Sequence, residues 1–339
     1  MEQQPYIPKV LVGTSPTTAV KAAKKEILEE REGKQLGLKV RWETLNVANR
    51  KYFRFKQIYL LAGPSGHGKS YLLNEIINDF FDKQHINKNF AGNFIVLYFC
   101  YEMSAVDEVI RTLGSKMRTS YGKILSSQWN KEKKEYEGLS EKELKEAFET
   151  LDKISNRPLM YFETAGNLRQ LEATVAAYSI RYPNSKIVVA IDHTLLSEKL
   201  TENTDIDLMA NTGKTALRLK KQYGCMVLML GQLNNAIEDY KRLANPTGQY
   251  PIKSDIYAQG QLFNACDSVM TILQPSMLKL THYGKKKIPT KDLMHLQYLK
   301  ARHGKIGSIW LENRLDEGMI VEKDVNSLRE IPTDEKKDA

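Results

Sequence analysis

Residues 60–70 decide the fold of this chain and read Leu60-Leu61-Ala62-Gly63-Pro64-Ser65-Gly66-His67-Gly68-Lys69-Ser70. The last eight of them fit the pattern G-x-x-x-x-G-K-[ST], in which x is any residue. An apolar run of strand length, Ile58 to Ala62, precedes the pattern. Apolar residues at helical spacing follow it from Tyr71 to Phe81. Strand, glycine-rich turn and helix in this order are the context of a phosphate-binding P-loop.

Each residue type in this loop has a physical reason. Glycines let backbone N–H groups converge on a phosphate without a Cβ in the way, and a helix N-terminus adds positive dipole. We expect Lys69 to reach the β- and γ-phosphates of ATP and the Ser70 hydroxyl to bind Mg²⁺. The alternative is a chance glycine-rich turn, which the flanking strand and helix disfavour. The predicted nucleotide-binding residues are Gly63, Pro64, Ser65, Gly66, His67, Gly68, Lys69, Ser70 and Tyr71, and we assign His67 no chemistry of its own.

Composition limits the class of protein. The chain has 339 residues, of which 42% are hydrophobic and 27% charged, enough for one large α/β core or two small domains. No apolar run approaches the length of a bilayer span, and Met1 to Lys9 lacks the layout of a signal peptide. The three cysteines form no C-x-x-C pair, so we expect no zinc site or disulfide framework and a reducing cytoplasm.

The charge balance is basic. The formal net charge is +9 and the isoelectric point is near 9.1. Such a balance favours polyanionic partners, nucleic acid first, although many basic proteins bind none.

Further apolar runs follow the P-loop unit and alternate with helical patterns. The runs are Phe94–Cys100, Leu159–Phe162, Lys186–His193, Cys225–Leu230 and Leu293–Leu299, with Ile306–Leu311 as hairpin partner of the last. This alternation predicts an α/β fold, with a mostly parallel central sheet flanked by helices on both faces. Polar stretches separate the runs. They include a polar, basic excursion from Thr119 to Glu137, a loop from Asn235 to Tyr257 that we expect to be mobile, and a loop or hairpin tip with Lys285-Lys286-Lys287.

We divide the chain into a flexible arm (1–17), a helix (18–36), a catalytic domain (37–325) and a disordered tail (326–339). The helix starts near Pro16 and stops at Gly33, and its apolar stripe is thin: Val20, Ala23, Ile27 and Leu28. It is either a solvated surface helix or a linker helix that docks on a neighbouring subunit.

Polar residues stand just past several predicted strands. They are Gly63, Glu102, Asp192, Gln232 and Lys300. Ligands of open α/β sheets bind at the carboxyl ends of the strands. We therefore expect these five residues to line one edge of one site.

Their chemistry suits ATP hydrolysis, which needs a phosphate cradle, a metal, an oriented water and a cation for the developing charge. Asp192 ends an apolar strand like a Walker B aspartate, and with Ser70 would hold Mg²⁺, the aspartate through a water. Glu102 is the candidate general base, and otherwise a glutamate near a helix start. Gln232 is a candidate sensor of the γ-phosphate, and otherwise an ordinary strand-end amide.

Five ordered segments between about Gly33 and Val321 resemble DnaB-type replicative helicases and their relatives. Tyr101-Glu102-Met103-Ser104, with Arg111 nine residues beyond Glu102, resembles that family's Glu-Met-Ser segment. Leu139–Glu143 with Arg157–Phe162 is similar to its next helix and strand. Gln232-Leu233-Asn234 and Lys300-Ala301-Arg302-His303-Gly304 are similar to its Gln-Leu-Asn and Lys-x-Arg-x-Gly. Asp192-His193 is more similar to the related phage and mitochondrial ring helicases.

The resemblance implies a RecA-like motor core that assembles as a hexameric ring on single-stranded DNA, travels 5′ to 3′ and cooperates with a primase or loader. It implies that ATP sits between subunits and that Lys300 and Arg302 reach the neighbour's γ-phosphate as trans-acting fingers. Without the resemblance, the same two residues would be read as a basic hairpin exposed to solvent.

The chain also departs from that family. Its Asp-Leu-Arg-x-Ser-Gly stretch, which grips DNA, is Asp255–Gly260 here, with Tyr257 in place of arginine. We expect the lost charge to come from nearby basic residues and Tyr257 to stack on a base. Only about fifty residues precede the P-loop strand, so we expect a stripped, phage-like motor without the N-terminal helical domain. The candidate DNA contacts are Lys241, Arg242, Lys253, Tyr257 and Gly260.

Two alternatives to a ring-forming helicase remain open. One is a RecA-type filament ATPase for recombination that does not unwind DNA. The other is a nucleotide-gated loader or adaptor that uses ATP for binding only, against which intact Lys69, Glu102 and Asp192 count.

Overall fold

The apolar runs around the P-loop pair side by side in the computed structural model, which describes residues 13–199, 202–257, 259–302, 304 and 307–323. Residues 1–12 of the predicted arm and the whole predicted tail lie outside the described residues. The described strands are β1 (Gly37–Leu38), β2 (Phe53–Arg54), β3 (Ile58–Gly63), β4 (Asn93–Cys100), β5 (Gln128–Asn130), β6 (Glu135–Glu137), β7 (Leu159–Phe162), β8 (Ser185–Asp192), β9 (Met226–Gln232), β10 (Ser268–Leu273), β11 (His282–Tyr283), β12 (Ile288–Pro289), β13 (Leu293–Ala301), β14 (Ser308–Arg314) and β15 (Met319–Glu322).

Helices cover both faces of the sheet. They are α1 (Pro16–Arg31), α2 (Glu43–Ala48), α3 (Lys69–Phe80), α4 (Ala105–Met117), α5 (Tyr121–Ile124), α6 (Glu141–Ser155), α7 (Leu168–Arg181), α8 (Asp205–Gln222), α9 (Tyr240–Leu243) and α10 (Gln259–Ala265). Capping boxes begin α6, α7 and α8, at Ser140, Asn167 and Thr204. Each supplies a side-chain acceptor to the free N–H groups of the first turn, which explains where these helices start.

Within the described residues the main sheet has nine strands in the order β15-β14-β13-β10-β3-β9-β8-β4-β7. The six strands from β10 to β7 are parallel, and β13, β14 and β15 continue the sheet in alternating directions. The predicted α/β class, with a mostly parallel sheet between helices, is confirmed. All six residues of β3 are buried, as expected for a central strand covered on both faces.

Alternate residues of β3 enter two separate cores. Tyr59 and Leu61 belong to the core that α3 covers, whereas Ile58, Leu60 and Ala62 belong to the core under α7, α8 and α10. The alternation follows from the two-residue period of a strand. Packing in both cores fixes the position of β3. It therefore also fixes the start of the loop that follows β3.

The strand register sets the neighbours of the P-loop. Gly63 pairs with Gln232 across β3 and β9, and Cys100 pairs with Asp192 across β4 and β8. The carboxyl ends of these parallel strands therefore form one edge of the sheet, which we call the P-loop edge.

The direction of β13 corrects one prediction. β13 is antiparallel to β10, and Lys300 pairs with Val269 near the start of β10. The end of β13 consequently lies at the opposite edge of the sheet from the P-loop. The expectation that Lys300 lines the same edge as Gly63, Glu102, Asp192 and Gln232 was wrong, because it assumed that all strands run parallel.

Helix α1 begins after the N-cap Ser15, two residues earlier than the predicted boundary, and ends at Arg31 before Gly33. None of its residues is buried, and its largest apolar side chains are Val20 (52% exposed), Ile27 (66%) and Leu28 (56%). Its last two turns are held to the body by ion pairs of Arg54 with Glu26 and Glu30. The rest of its apolar stripe is left uncovered.

The three cysteines, Cys100, Cys225 and Cys266, are all buried and unpaired. Burial raises the pKa of each thiol to about 12. Among the described helices, none is long and apolar enough to cross a membrane.

Candidate nucleotide site

The P-loop joins the end of β3 to the start of α3, and its glycines are required by the space around them. A Cβ on Gly63 would lie 2.6 Å from the carbonyl oxygen of Ile272 on β10. Gly66 and Gly68 have φ of +77° and +88°, a region that side-chain-bearing residues rarely adopt. Ser65 and Gly66 are exposed at the tip of the loop. The loop therefore has the tight, open shape that lets backbone N–H groups face an anion.

The Lys69 ammonium is held within the loop. Its Nζ donates to the carbonyl oxygen of Pro64 at 2.8 Å and to Oε1 of Gln232 at 3.3 Å. Burial lowers the pKa of Lys69, and the nearby carboxylates of Glu102 and Asp192 act in the opposite direction. Gln232, at the end of β9, thus contacts this cation directly, and the charges of Glu102 and Asp192 act on it.

Ser70 and Asp192 meet across the sheet edge. The Ser70 hydroxyl donates to Oδ1 of Asp192 at 3.2 Å, and Asp192 is 1% exposed. Burial raises the pKa of Asp192, while the Ser70 hydrogen bond lowers it. Its second oxygen, Oδ2, is buried and has no hydrogen-bond partner among the described residues. A buried acceptor of this kind is costly unless something satisfies it.

The pair fits a magnesium ion better than other metals. Mg²⁺ is a hard cation that takes one or two protein oxygens and completes its shell with water and phosphate. A hydroxyl and a carboxylate with a free oxygen are such donors. The described residues contain no group of three or more His, Cys, Asp or Glu side chains that could hold a metal, which disfavours an all-protein site.

Glu102 lies in the turn between β4 and α4, with its side chain exposed. The capping alternative does not hold for it, because Ser104 is the N-cap of α4 and accepts from the N–H of Asp107 at 3.1 Å. Within the described part of the chain, the Glu102 carboxylate makes no hydrogen bond or ion pair. Its negative charge acts on both Lys69 and Asp192, in the direction that raises the pKa of each.

Gln232 connects the site to the loop that follows β9. Its side chain accepts from Lys69, while its backbone carbonyl accepts from the N–H of Tyr257 at 2.9 Å. Asn234 adds a second backbone bond to Asp255 at 2.7 Å. Hydrogen bonds therefore connect Lys69, through Gln232, to residues 253–257, and a change in the contacts of Lys69 can be transmitted to that segment.

His67 has a partner that the sequence could not show. It is 4% exposed, and its Nδ1 accepts from the backbone N–H of Gln274 at 2.9 Å. Burial, with a smaller effect of Lys69, lowers the pKa of His67 to about 4, so the ring is neutral. Gln274 lies more than two hundred positions away in the chain, and no sequence signal joins the two.

Glu108 is a second residue that sequence reasoning missed. It is fully buried on α4, where it accepts from Asn74 at 2.7 Å and pairs with Arg111 at 3.1 Å. Burial raises the pKa of Glu108 to about 7, while Arg111 and Asn74 act against burial and Asp192 acts with it. The three-residue spacing of Glu108 and Arg111 on a predicted helix was the available signal.

An apolar cavity of about 360 Å³ adjoins the first turn of α3. Its walls include Tyr71, Met103, Ile110, Arg111 and Leu315. Tyr71 directly follows Ser70 in the first turn of α3.

Lys300 and Arg302 contact their own chain at the opposite sheet edge. Lys300 Nζ donates to the carbonyl oxygens of Phe263 at 2.8 Å and Asn264 at 3.1 Å. Arg302 donates to the same Asn264 carbonyl at 2.9 Å and lies 3.5 Å from Asp267. Both cations thus bind the last turn of α10, where a helix carries negative partial charge.

Arg242 is the predicted DNA contact whose surroundings differ most from expectation. Its guanidinium pairs with the buried Asp255 at 2.5 Å and donates to the carbonyl oxygens of Gly248 at 2.7 Å and Tyr250 at 2.9 Å. With these bonds made inside the loop, Arg242 is not available to replace the missing arginine. The segment we expected to be mobile is therefore folded around one buried ion pair.

The other candidate DNA contacts are exposed. Lys241 faces solvent, and Lys253 lies over the ring of Phe263 at 4.8 Å. Tyr257 is 39% exposed and donates to Asp205 at 3.1 Å. Gly260 lines an open cavity of about 570 Å³ beside Lys253.

With this geometry described, comparison with known proteins identifies relatives. The family model of the DnaB-like helicase C-terminal domain matches residues 37–316. A solved structure described as an ATPase domain is similar with a TM-score of 0.75 and 17% identity, over 92% of this chain and 100% of that one. A structure of a DnaB-like replicative helicase and its interactions with primase is similar with a TM-score of 0.72 and 17% identity, over 92% of this chain and 68% of that one.

No curated protein sequence matches the chain. At 17% identity the two solved structures establish the fold alone. They confirm the RecA-like core that the sequence predicted.

Proposed function

The chain belongs to the family of DnaB-like helicase C-terminal domains, and from this premise we propose that it is an ATP-driven DNA helicase. It assembles as a hexameric ring, travels along single-stranded DNA from 5′ to 3′ and separates duplex ahead of it. The observation that carries the proposal is the meeting of Ser70 with Asp192 beside Lys69 and Gln232. These are the positions at which a phosphoryl-transfer site needs its donors and its metal.

Each residue of the P-loop edge has a separate role in the proposed ATP hydrolysis. Lys69 exchanges its two oxygen partners for the β- and γ-phosphates. Ser70 and Asp192 hold Mg²⁺, which when bound neutralises the phosphate oxygens. Glu102, which is exposed and has no partner among the described residues, orients the attacking water and accepts its proton. Gln232, released by Lys69, senses the γ-phosphate and passes the change to residues 253–257.

The apolar cavity beside Tyr71 receives the base and ribose. Its lining combines aromatic and aliphatic surface with the Arg111 guanidinium, which suits a flat polar ring. The cavity adjoins the first turn of α3, the helix that follows the phosphate loop, which supports this assignment.

The fingers act on a second copy of the chain. Lys300 and Arg302 lie at the sheet edge opposite the P-loop and cannot reach phosphates bound to their own chain. The uncovered apolar stripe of α1 supports the same view, because it fits a linker helix that packs on a neighbour. By likeness to the helicase described with primase, a primase or loader is the expected further partner.

Two substitutions at the P-loop edge test this function. Lys69→Ala removes the phosphate cation and abolishes ATP binding and DNA-stimulated ATPase. Glu102→Gln keeps the shape of the side chain without the base, so it binds ATP but lowers turnover by about a hundredfold or more. Binding is followed with a fluorescent ATP analogue and turnover by phosphate release, each with and without single-stranded DNA.

Glu163→Gln serves as the matched control, since Glu163 is another carboxylate near the start of α4, directly after the outermost strand β7. Among the described residues its carboxylate accepts from the Ala105 N–H and makes no hydrogen bond or ion pair with Lys69, Ser70 or Asp192. Turnover near the unmodified rate in Glu102→Gln would reject Glu102 as the base. ATPase that ignores added DNA would reject the helicase itself.

A further inference from the structure

The excursion between β10 and β13 carries a cluster of lysines that the proposed function does not use. Its hairpin β11–β12 turns through Lys285-Lys286-Lys287, and Lys279 and Lys291 flank it. We call residues 279–291 the lysine hairpin. All five lysines are exposed, and within the described part of the chain none of them makes an ion pair. The positive charge of this hairpin is therefore uncompensated.

The lysine hairpin is docked on the loop that follows β9. Gln249 accepts from the backbone N–H of Gly284 through its side chain at 2.6 Å and from the Tyr283 hydroxyl through its backbone at 3.4 Å. The rings of Tyr250 and Tyr283 lie 5.1 Å apart. Since Arg242 binds the Tyr250 carbonyl, the hairpin and the candidate DNA loop form one packed unit.

The base of the same excursion touches the P-loop. Gln274, its first residue, donates to His67 of the P-loop, and a Cβ on Gly66 would lie 3.8 Å from Met277. The lysines therefore project from a segment that contacts both the nucleotide loop and the DNA loop.

The exposed surface of the lysine hairpin is mainly positively charged, with its large apolar side chains turned inward. The side chains of Tyr283 and Ile288 are buried in a small core with Ile237, Leu273 and Leu293, and the partly buried Leu280 packs against that core. A protein partner needs apolar surface at the centre of its interface. A chain of phosphates needs only lysines at the right spacing, because binding is driven by the release of counterions.

We infer that the lysine hairpin binds backbone phosphates of the single-stranded DNA held by residues 235–257. This inference rests on the proposed function. The hairpin supplies, from a different part of the chain, the positive charge that is lost where Tyr257 replaces arginine and where Arg242 is bound internally. It reads no base, so its contribution is the same for every sequence.

The salt dependence of DNA binding tests the inference. The variant is Lys285→Ser/Lys286→Ser/Lys287→Ser. The control is Lys131→Ser/Lys133→Ser/Lys134→Ser, which removes the same charge from the turn of the β5–β6 hairpin. Affinity for a fluorescent oligothymidylate is measured from about 50 to about 300 mM NaCl with a non-hydrolysable ATP analogue. Each lost phosphate contact lowers the slope of log K against log salt by about 0.7, so we expect a decrease of about 1.4 to 2 in the variant and none in the control.

The outcomes separate this inference from the proposed function. If the unmodified chain does not bind the oligonucleotide, both are overturned. If the unmodified chain binds and both triple variants have the same slope of log K against log salt as the unmodified chain, the inference alone is overturned. The same holds if the slope falls by the same amount in the variant and in the control. Recovery of the slope on replacing the three lysines with arginines supports it, because only charge is then restored. Failure of that recovery in a folded variant overturns it.

Discussion

At the scale of single residues, His67 shows how a tolerant position in a motif can acquire a structural task. Its neutral ring accepts the Gln274 N–H and so ties the P-loop to the base of the lysine hairpin. Protonation of Nδ1 would replace this acceptor with a donor facing another donor. The histidine therefore makes the P-loop sensitive to acid.

The first prediction follows from the depressed pKa of His67. It is about 4 in the folded chain and 6.5 ordinarily. Between these two values His67 binds a proton in the unfolded chain but not in the folded chain. The contribution of neutral His67 to the free energy of unfolding is therefore complete above about pH 6.5 and is lost as the pH falls toward 4. Relative to His67→Gln, which keeps an acceptor and does not titrate, the unmodified chain should lose up to about 2 kcal/mol of unfolding free energy between about pH 7 and pH 5.

Urea unfolding at the two pH values measures this difference. A difference in unfolding free energy between the two proteins that stays the same from pH 7 to pH 5 would show that the pKa of His67 is not lowered in the folded chain.

The site residues also show which contacts can be predicted from the sequence. The P-loop pattern and an apolar strand ending in aspartate were enough to predict Ser70 and Asp192 as neighbours, because parallel strands bring their ends together. Glu108 and Gln274 could not be predicted in the same way. Their roles arise from burial against distant segments. The only local signal for Glu108 was its three-residue spacing from Arg111, and Gln274 had none.

At the scale of elements, Arg242 decides the shape of the loop after β9. Its donors bind one buried carboxylate and two backbone carbonyls, which gathers residues 239–255 around a single guanidinium. Removing one partner of such a pair leaves a buried charge uncompensated.

We therefore expect Arg242→Ala to open this loop while the sheet stays folded. Backbone amides in residues 242–257 should lose about tenfold or more in protection from hydrogen exchange, and those of β3 and β9 should not. Lys241→Ala is the matched control, since the neighbouring side chain is exposed and unpaired within the described residues. Exchange measured by mass spectrometry distinguishes the two. Equal protection in both variants would mean that other contacts hold the loop.

The predicted strands are present, but the direction of β13 was not predicted. The apolar runs indicated strands and their alternation with helices indicated a parallel sheet, and both were confirmed. The sequence alone did not tell that β13 reverses direction, because a buried antiparallel strand has the same apolar pattern as a parallel one. That single reversal moved Lys300 and Arg302 to the other edge.

At the scale of the whole molecule, the proposed function makes each catalytic site a property of two copies, because Lys300 and Arg302 lie at the sheet edge opposite the P-loop. A copy with Arg302→Ala keeps its P-loop but offers its neighbour no finger. A copy with Lys69→Ala keeps its finger but binds no phosphate. A site between the two, with the P-loop of the first and the finger of the second, is complete.

Each variant alone should therefore be inactive, and mixtures of the two should regain partial DNA-stimulated ATPase. A mixture of Lys69→Ala with Glu102→Gln is the control. Both substitutions fall on the P-loop side, so every site in that mixture remains defective. Phosphate release across mixing ratios measures the recovery. Absence of recovery from the first mixture, with rings shown to form by electron microscopy, would refute action in trans.

The burial of all three sulfhydryl groups has a practical consequence. With pKa values of about 12 and no solvent contact, they are inert to maleimide dyes at neutral pH. A cysteine introduced at the tip of the turn, as in Lys286→Cys, would be the single reactive position on the chain. A fluorophore attached there would brighten or dim as a polynucleotide strand arrives, so that loading could be watched in real time without removing any native residue from the interior.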